Sequence, residues 1–245
     1  MNSTIDTMRA HRSIRKFKDK PVTASVLETI LSAAQCAATS NHVQAYTIIQ
    51  ISKPDMRQTI AGICGDQAWI VQAPVFLVFC ADLSRLQTAC ERHGKEMAQG
   101  YAEQFIVATV DTALLGQNTL LAAESLGLGG VFIGAVRNDP QKISELLDIP
   151  KQAYPVFGMC LGYPDDDPPT KPRLPLEAIL KQETYSFDGT DALLDAYDST
   201  TRNYYRFRDS NLKDETWSHQ MAEFMGKVMR PHMKDFLNQK GFFLK

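Results

Sequence analysis

Residues 101–126 constrain this chain more than any other stretch. Phe105, Ile106, Val107, Val110, Leu114, Leu115, Leu120 and Leu121 leave almost no polar face. A helix apolar nearly all round is buried. At roughly 1.5 Å per residue it spans about 39 Å, which suits the spine of a domain. A second role at a dimer interface stays open. Gly127-Leu128-Gly129-Gly130 ends the helix. A dinucleotide fingerprint needs strand, glycine turn and helix in that order. Here the order is helix, glycines, strand, and Phe132 stands at the third glycine position. The glycines are therefore a helix C-cap and a strand entry.

The remaining elements arrange themselves around that spine. Ser3 and Asp6 resemble a capping box for a helix over 4–10. Thr23 caps a helix over 24–38, and Pro54 opens one over 54–63. Strands are expected over 46–51, 75–79, 131–133 and 155–161. Val75-Phe76-Leu77-Val78-Phe79 is apolar without alternation, so both its faces are covered. Further helices are expected at 67–72, 84–99, 139–147, 190–206 and 215–229, and a last one to Gln239. Met221, Phe224, Met225 and Val228 share one face of the 215–229 helix. Composition changes after residue 175. The organisation expected is a core over 1–175, and an arm with helices over 176–245 that pack on the core and on a partner subunit.

Several function classes lack their parts. The 245 residues carry a formal net charge of −2, so no global field favours nucleic acid or a membrane. Residues 11–20 hold a dense basic run, but only Phe17 interrupts it as a stacking surface, so a nucleic-acid arm is the remote reading. Five cysteines, with no C-x-x-C pair, indicate neither a disulfide framework nor a zinc knuckle. No leader and no apolar run of about 18 residues is apparent. The localisation expected is cytoplasmic. The histidines lack metal-ligand spacing, Asp165-Asp166-Asp167 reads as a solvated loop, and no nucleophile motif occurs. No metal site is expected.

Two basic knots carry the functional signal. His11-Arg12-Ser13-Ile14-Arg15 places two guanidinium groups, an imidazole and a hydroxyl within one short stretch. Lys171-Pro172-Arg173 places two cations on one side of extended backbone. Arginine presents a donor fork and lysine a point charge, both suited to phosphate. Solvated basic turns are the plain alternative for each. Gly134-Ala135, at a strand end, lets backbone N–H groups approach a flat ligand. Basic clamps without a nucleophile suit an enzyme whose cofactor does the chemistry.

His11-Arg12-Ser13-Ile14-Arg15 resembles the opening motif of the nitroreductase superfamily. Val110-Asp111-Thr112, the run Ala122 to Gly130, and Ile133-Gly134 resemble its oxygen-insensitive, NADPH-preferring group. Lys171-Pro172-Arg173-Leu174-Pro175, Thr216-Trp217-Ser218 and Arg230-Pro231 extend the likeness over the whole chain. The resemblance implies an α+β fold, with a central, mostly antiparallel sheet between helices, in an intertwined homodimer that binds FMN. By resemblance His11, Arg12, Ser13, Lys171 and Arg173 hold the ribityl phosphate. Arg15 lies at the pyrimidine edge of the ring, and Gln67 touches the ring. Thr39 and Ser40 come from the partner subunit. Ile133, Gly134 and Ala135 offer backbone N–H groups near N5. Arg208, Lys213 and Arg230 match positions that serve NADPH, with Lys213 where relatives can carry arginine. Ala135 replaces a glycine common in the family, and Thr39-Ser40-Asn41-His42 replaces a serine-rich run.

The activity implied is ping-pong, two-electron reduction of nitroaromatics and quinones by NADPH, the flavin carrying the chemistry. Arg15 lends electrostatic support. A flavin reductase supplying reduced flavin shares every motif. A non-catalytic flavin carrier is the alternative from another class.

Overall fold

The alternation of side chains along one strand sets the layers. The computed structural model describes residues 3–208, 211–243 and 245. Among them, β1 (Tyr46–Gln50), β2 (Val75–Asp82), β3 (Gly129–Ile133) and β4 (Ala153–Gly162) form one sheet, in the order β1-β2-β4-β3. Every neighbouring pair is antiparallel. All of β2 is buried, as its unbroken apolar run requires. Phe76, Val78 and Cys80 face one way, into a cluster with Ile60, Ile70 and Ile143. Val75, Leu77 and Phe79 face the other, against Leu27, Ile30, Leu115 and Leu120. Each such side chain contributes about 1.5–3 kcal/mol by leaving water. The architecture is α+β, with helices on both faces of an antiparallel sheet.

The first face is covered by α3 (Pro54–Ile63), α4 (Trp69–Gln72) and α7 (Pro140–Leu146), the second by α2 (Ala24–Ala34) and α6 (Ala102–Ser125). Pro54 starts α3, and the Thr23 side chain accepts from the Val26 N–H at the head of α2. Asp139 caps α7 by accepting from the Lys142 N–H. Gly127 adopts φ +77° after α6, and β3 begins at Gly129. Gly116 lets α6 approach the sheet, since a Cβ there would lie 2.6 Å from Phe157. Lys240, near the chain end, donates from Nζ to the carbonyls of Ile149 and Pro150, and Phe242 is buried beside Tyr154.

Some expectations need correction. α6 is not buried all round. Ile106, Val110 and Leu114 are 51%, 50% and 41% exposed, while Ala108, Asp111, Thr112, Leu115 and Thr119 point inward. Apolar composition alone does not say which stripe meets the sheet. By length and composition α6 also passes as a membrane span, contrary to the sequence expectation, although it packs along α2 and the sheet. α1 (Ser3–Arg9) already includes Ser3, so Ser3 is not its cap. α2 stops at Ala34, where small polar residues give a turn. α5 (Ser84–Arg92) ends short of residue 99, because Gly94 adopts φ +62°. α10 (Trp217–Met225) also ends early, and Phe224, Met225 and Val228 are exposed rather than a core face.

The chain divides into two compact units. One comprises Asp167–Met229, and the other holds the sheet together with Arg230–Lys245. Within Asp167–Met229, α8 (Leu176–Ile179) and α10 pack on α9 (Thr190–Phe207). Ser218 donates to Asp198, and Tyr197 stacks edge-on to Trp217 at 5.8 Å. α11 (Met233–Gln239) belongs to the sheet unit and meets α7.

Candidate functional site

The basic stretch is built onto the outer edge of the sheet. Ser13 pairs with Gly130 in a parallel bridge, and the Ile14 N–H donates to the Gly130 carbonyl at 2.9 Å. Ile14 is 2% exposed and turns inward over Gly129. A Cβ on Gly129 would lie 2.5 Å from Ile14, so only glycine permits this approach. Residues two apart share a face, so Ser13 and Arg15 turn away as Ile14 turns in. The segment is anchored again at Phe17, opposite Pro164, and by the Lys18 N–H donating to Tyr163. Donors that a solvated turn would leave loose are thus held beside β3.

His11 is placed by a partner that the sequence reading passed over. Its Nδ1 lies 2.6 Å from Glu124 Oε1, in the last turn of α6. Arg15 holds its guanidinium 5.7 Å from the centre of the Trp69 ring, just beyond Gln67. The Trp69 Nε1–H is buried and has no acceptor among the described residues. Arg57 fixes the turn carrying these residues. It is 8% exposed and donates to the carbonyls of Ile51 and Ala73. Burial pushes its guanidinium pKa down.

Ile133 is buried at the end of β3, and Gly134 and Ala135 follow in a 3-10 turn. Arg137 approaches this turn, its guanidinium 3.5 Å from where a Gly134 Cβ would stand, and it donates to the Val156 carbonyl. Burial first, and then the Arg230 charge, lower the Arg137 pKa. Arg230 donates to Asn138 Oδ1 at 3.1 and 3.0 Å. Arg230 therefore lies beside the Gly134 turn, within the sheet unit.

Thr39 and Ser40 sit in a loop organised by Asp111. This carboxylate is 1% exposed. It accepts from Thr39 Oγ1 at 2.5 Å, the Ser40 N–H at 3.1 Å and the Ala45 N–H at 3.2 Å. Asn41, His42 and Gln44 within the loop take positive φ, a costly backbone that the buried acid over-determines. An acid inside an apolar helix was the available sequence signal.

The remaining cations belong to Asp167–Met229. Arg173 donates to the Lys171 carbonyl at 2.8 Å. Lys171, Arg208 and Lys213 stand 5.5, 4.6 and 4.5 Å from the centre of the Tyr205 ring. Burial pushes the Tyr205 phenol pKa up, but Lys171 and Lys213 outweigh it and leave the group below its ordinary value. Three of the predicted positions thus share one phenol that the sequence did not single out.

A row of donors fixed along the sheet edge, a cation over an indole and a glycine turn at a strand end are carried on one α+β scaffold. Comparison with known proteins names the class. Residues 8–163 match the nitroreductase family, and residues 171–245 match its C-terminal domain. The chain belongs to the nitroreductase family. It is 41% identical over 242 residues to an oxygen-insensitive NADPH nitroreductase of Salmonella typhimurium, covering 99% of both chains. It is 39% identical over 246 residues to an FMN reductase (NADPH) of Bacillus subtilis, again covering 99% of both. Among solved structures, nitroreductase A of Vibrio parahaemolyticus superposes with a TM-score of 0.92 at 40% identity, with full coverage of both chains. An NADPH:FMN oxidoreductase of Vibrio harveyi, solved with NAD⁺, superposes with a TM-score of 0.91 at 37% identity, again with full coverage.

Proposed function

We propose that this protein is an FMN-dependent NAD(P)H oxidoreductase. It reduces nitroaromatics and quinones by two-electron, ping-pong transfer. The observation that carries this reading is the His11–Arg15 row fixed along β3, in a chain that matches the family end to end. His11, Arg12 and Ser13 supply donors for the cofactor phosphate, joined by Lys171 and Arg173. The donor set fits an anion: cations, a hydroxyl and an imidazole, with Glu124 turned onto the imidazole. When bound, FMN supplies the electron chemistry, taking a hydride equivalent from NADPH and yielding two electrons to a flat acceptor.

The chain's own residues orient and support. Arg15, held at Trp69, stabilises negative charge on the ring system, and Gln67 contacts the ring. The Gly134-Ala135 turn presents backbone N–H groups. Arg208, Lys213 and Arg230 receive the nucleotide phosphates. The exposed Ile106, Val110 and Leu114 stripe of α6 is the surface on which two copies pair, bringing Thr39 and Ser40 to the partner's cofactor. The working place is the cytoplasm.

Anaerobic titration with NADPH, and then NADH, followed by flavin absorbance, tests the reading. Rapid bleaching by NADPH and recovery on adding a nitrofuran are expected. Protein that stays colourless after incubation with FMN overturns it. A second reading, flavin reductase, is favoured by the relative named FMN reductase (NADPH). Faster turnover with free FMN than with the nitrofuran selects it.

A further inference from the structure

Glu124 is the one charged side chain in the last fourteen residues of α6, Thr112–Ser125, and its carboxylate meets the His11 ring. The side chains of His11 and Glu124 are 27% and 12% exposed, so the contact is partly screened from water. An ionised carboxylate only accepts, so His11 Nδ1 is the donor. The ring orientation is thereby fixed, and Nε2 is the nitrogen left for a ligand. A phosphate also only accepts. A neutral ring with its proton on Nδ1 would turn a lone pair at the phosphate.

We propose that Glu124 is a positioning residue for the cofactor phosphate, and that His11 takes up a proton at Nε2 as the phosphate binds. The inference rests on the functional reading above. The balance is simple: one proton leaves solvent and forms the Nε2–H bond, and nothing is oxidised or reduced. The ring then stands as a cation between two anions, with a donor on each side. The charged groups of the elements meeting here are Asp6 and Arg9 on α1, Arg12, Arg15 and Lys16 on the stretch itself, Asp165 on the segment bonded to Lys16, and Glu124 on α6. β3 contributes no charged side chain. Glu124 is thus the acid that α6 brings to the ring, while arginines crowd the same stretch.

The test is calorimetry on the full-length protein freed of flavin. FMN and riboflavin are titrated near pH 8, in two buffers of different ionisation enthalpy. Wild-type protein is expected to take up on the order of one proton per FMN, the step that completes the imidazolium, and none with riboflavin. Glu124→Gln is expected to weaken FMN about tenfold, the scale of a partner behind a ligating histidine. The loss should widen as pH rises, while riboflavin affinity and Tm hold. His11→Gln should abolish the proton uptake and make a following Glu124→Gln nearly silent. Equal weakening of FMN and riboflavin, or a matching fall in Tm, would show a structural tie between the basic stretch and α6 and overturn the positioning role. FMN binding without proton uptake by wild type would overturn the protonation. Failure of wild type to bind either flavin would instead overturn the functional reading, so the two failures are distinct.

Discussion

The chain presents cations in two contrasting ways. Along β3 they are tied down: the backbone of 13–18 is bonded to the sheet, His11 meets a carboxylate, and Asp111 and Arg57 brace neighbouring loops from inside. Around Tyr205 they are gathered loosely. Arg208 and Lys213 are exposed or half-exposed and bond to a backbone carbonyl, Gln220 and Glu215. Rigid donors lower the ordering cost of binding and suit a resident ligand. Loose cations suit a ligand that arrives and leaves in each cycle. On the function proposed, FMN is the held ligand and NADPH the transient one.

The sharpest challenge is to remove a brace. Asp111→Ala leaves the Thr39 hydroxyl and the Ser40 and Ala45 N–H groups without their acceptor. Loss of about 3 kcal/mol in urea unfolding is expected, together with weakened FMN binding. A loss under about 1 kcal/mol would mean that the loop is as loose as the Tyr205 cluster. Arg15→Ala comes next. It should lower the FMN reduction potential and slow flavin reduction about tenfold, roughly 1.4 kcal/mol of barrier, in stopped-flow measurements. Unchanged potential and rate remove Arg15 from its role.

Tyr205→Phe keeps the ring beneath the three cations and deletes only the hydroxyl. KM for NADPH should rise by roughly threefold, with FMN content unchanged, because a mobile set of cations loses one hydrogen bond. Loss of FMN instead would place the cluster with the tied-down site. The smallest effect concerns Asp82. Burial raises its carboxyl pKa, but hydrogen bonds from Ser84 and Thr47 and the Arg85 charge more than offset this, and the folded value lies below the ordinary one. A lowered carboxylate contributes stability that is full above the unfolded pKa, about 4, and is lost as pH falls through the folded value. Asp82→Asn should flatten that acid limb in unfolding curves and leave the neutral baseline nearly parallel.

Legibility varied with the range of the interaction. The Pro54 helix start, the Thr23 and Asp139 caps and the two-faced burial of β2 could be read locally, because each depends on neighbours within a few residues. The premature end of α2 could not, because small and polar residues permit both helix and turn, whereas Gly94 and Gly226 lie just past the ends of α5 and α10. The Glu124 and Asp111 contacts span 113 and 71 positions. Nothing local marks them beyond an acid in an apolar helix.

The sequence alone determined which groups are available: the basic stretch, the glycine stop after the long helix, the apolar strands and the absence of a nucleophile motif. Local sterics, periodicity and side-chain chemistry settle such matters within a turn or a strand. Tertiary structure decided which stripe of α6 meets the sheet, that the basic stretch joins the edge of β3, and that Glu124 and Asp111 serve loops distant in the chain. Those outcomes depend on closing long loops and on pairing every buried polar group, and only the complete fold satisfies both at once.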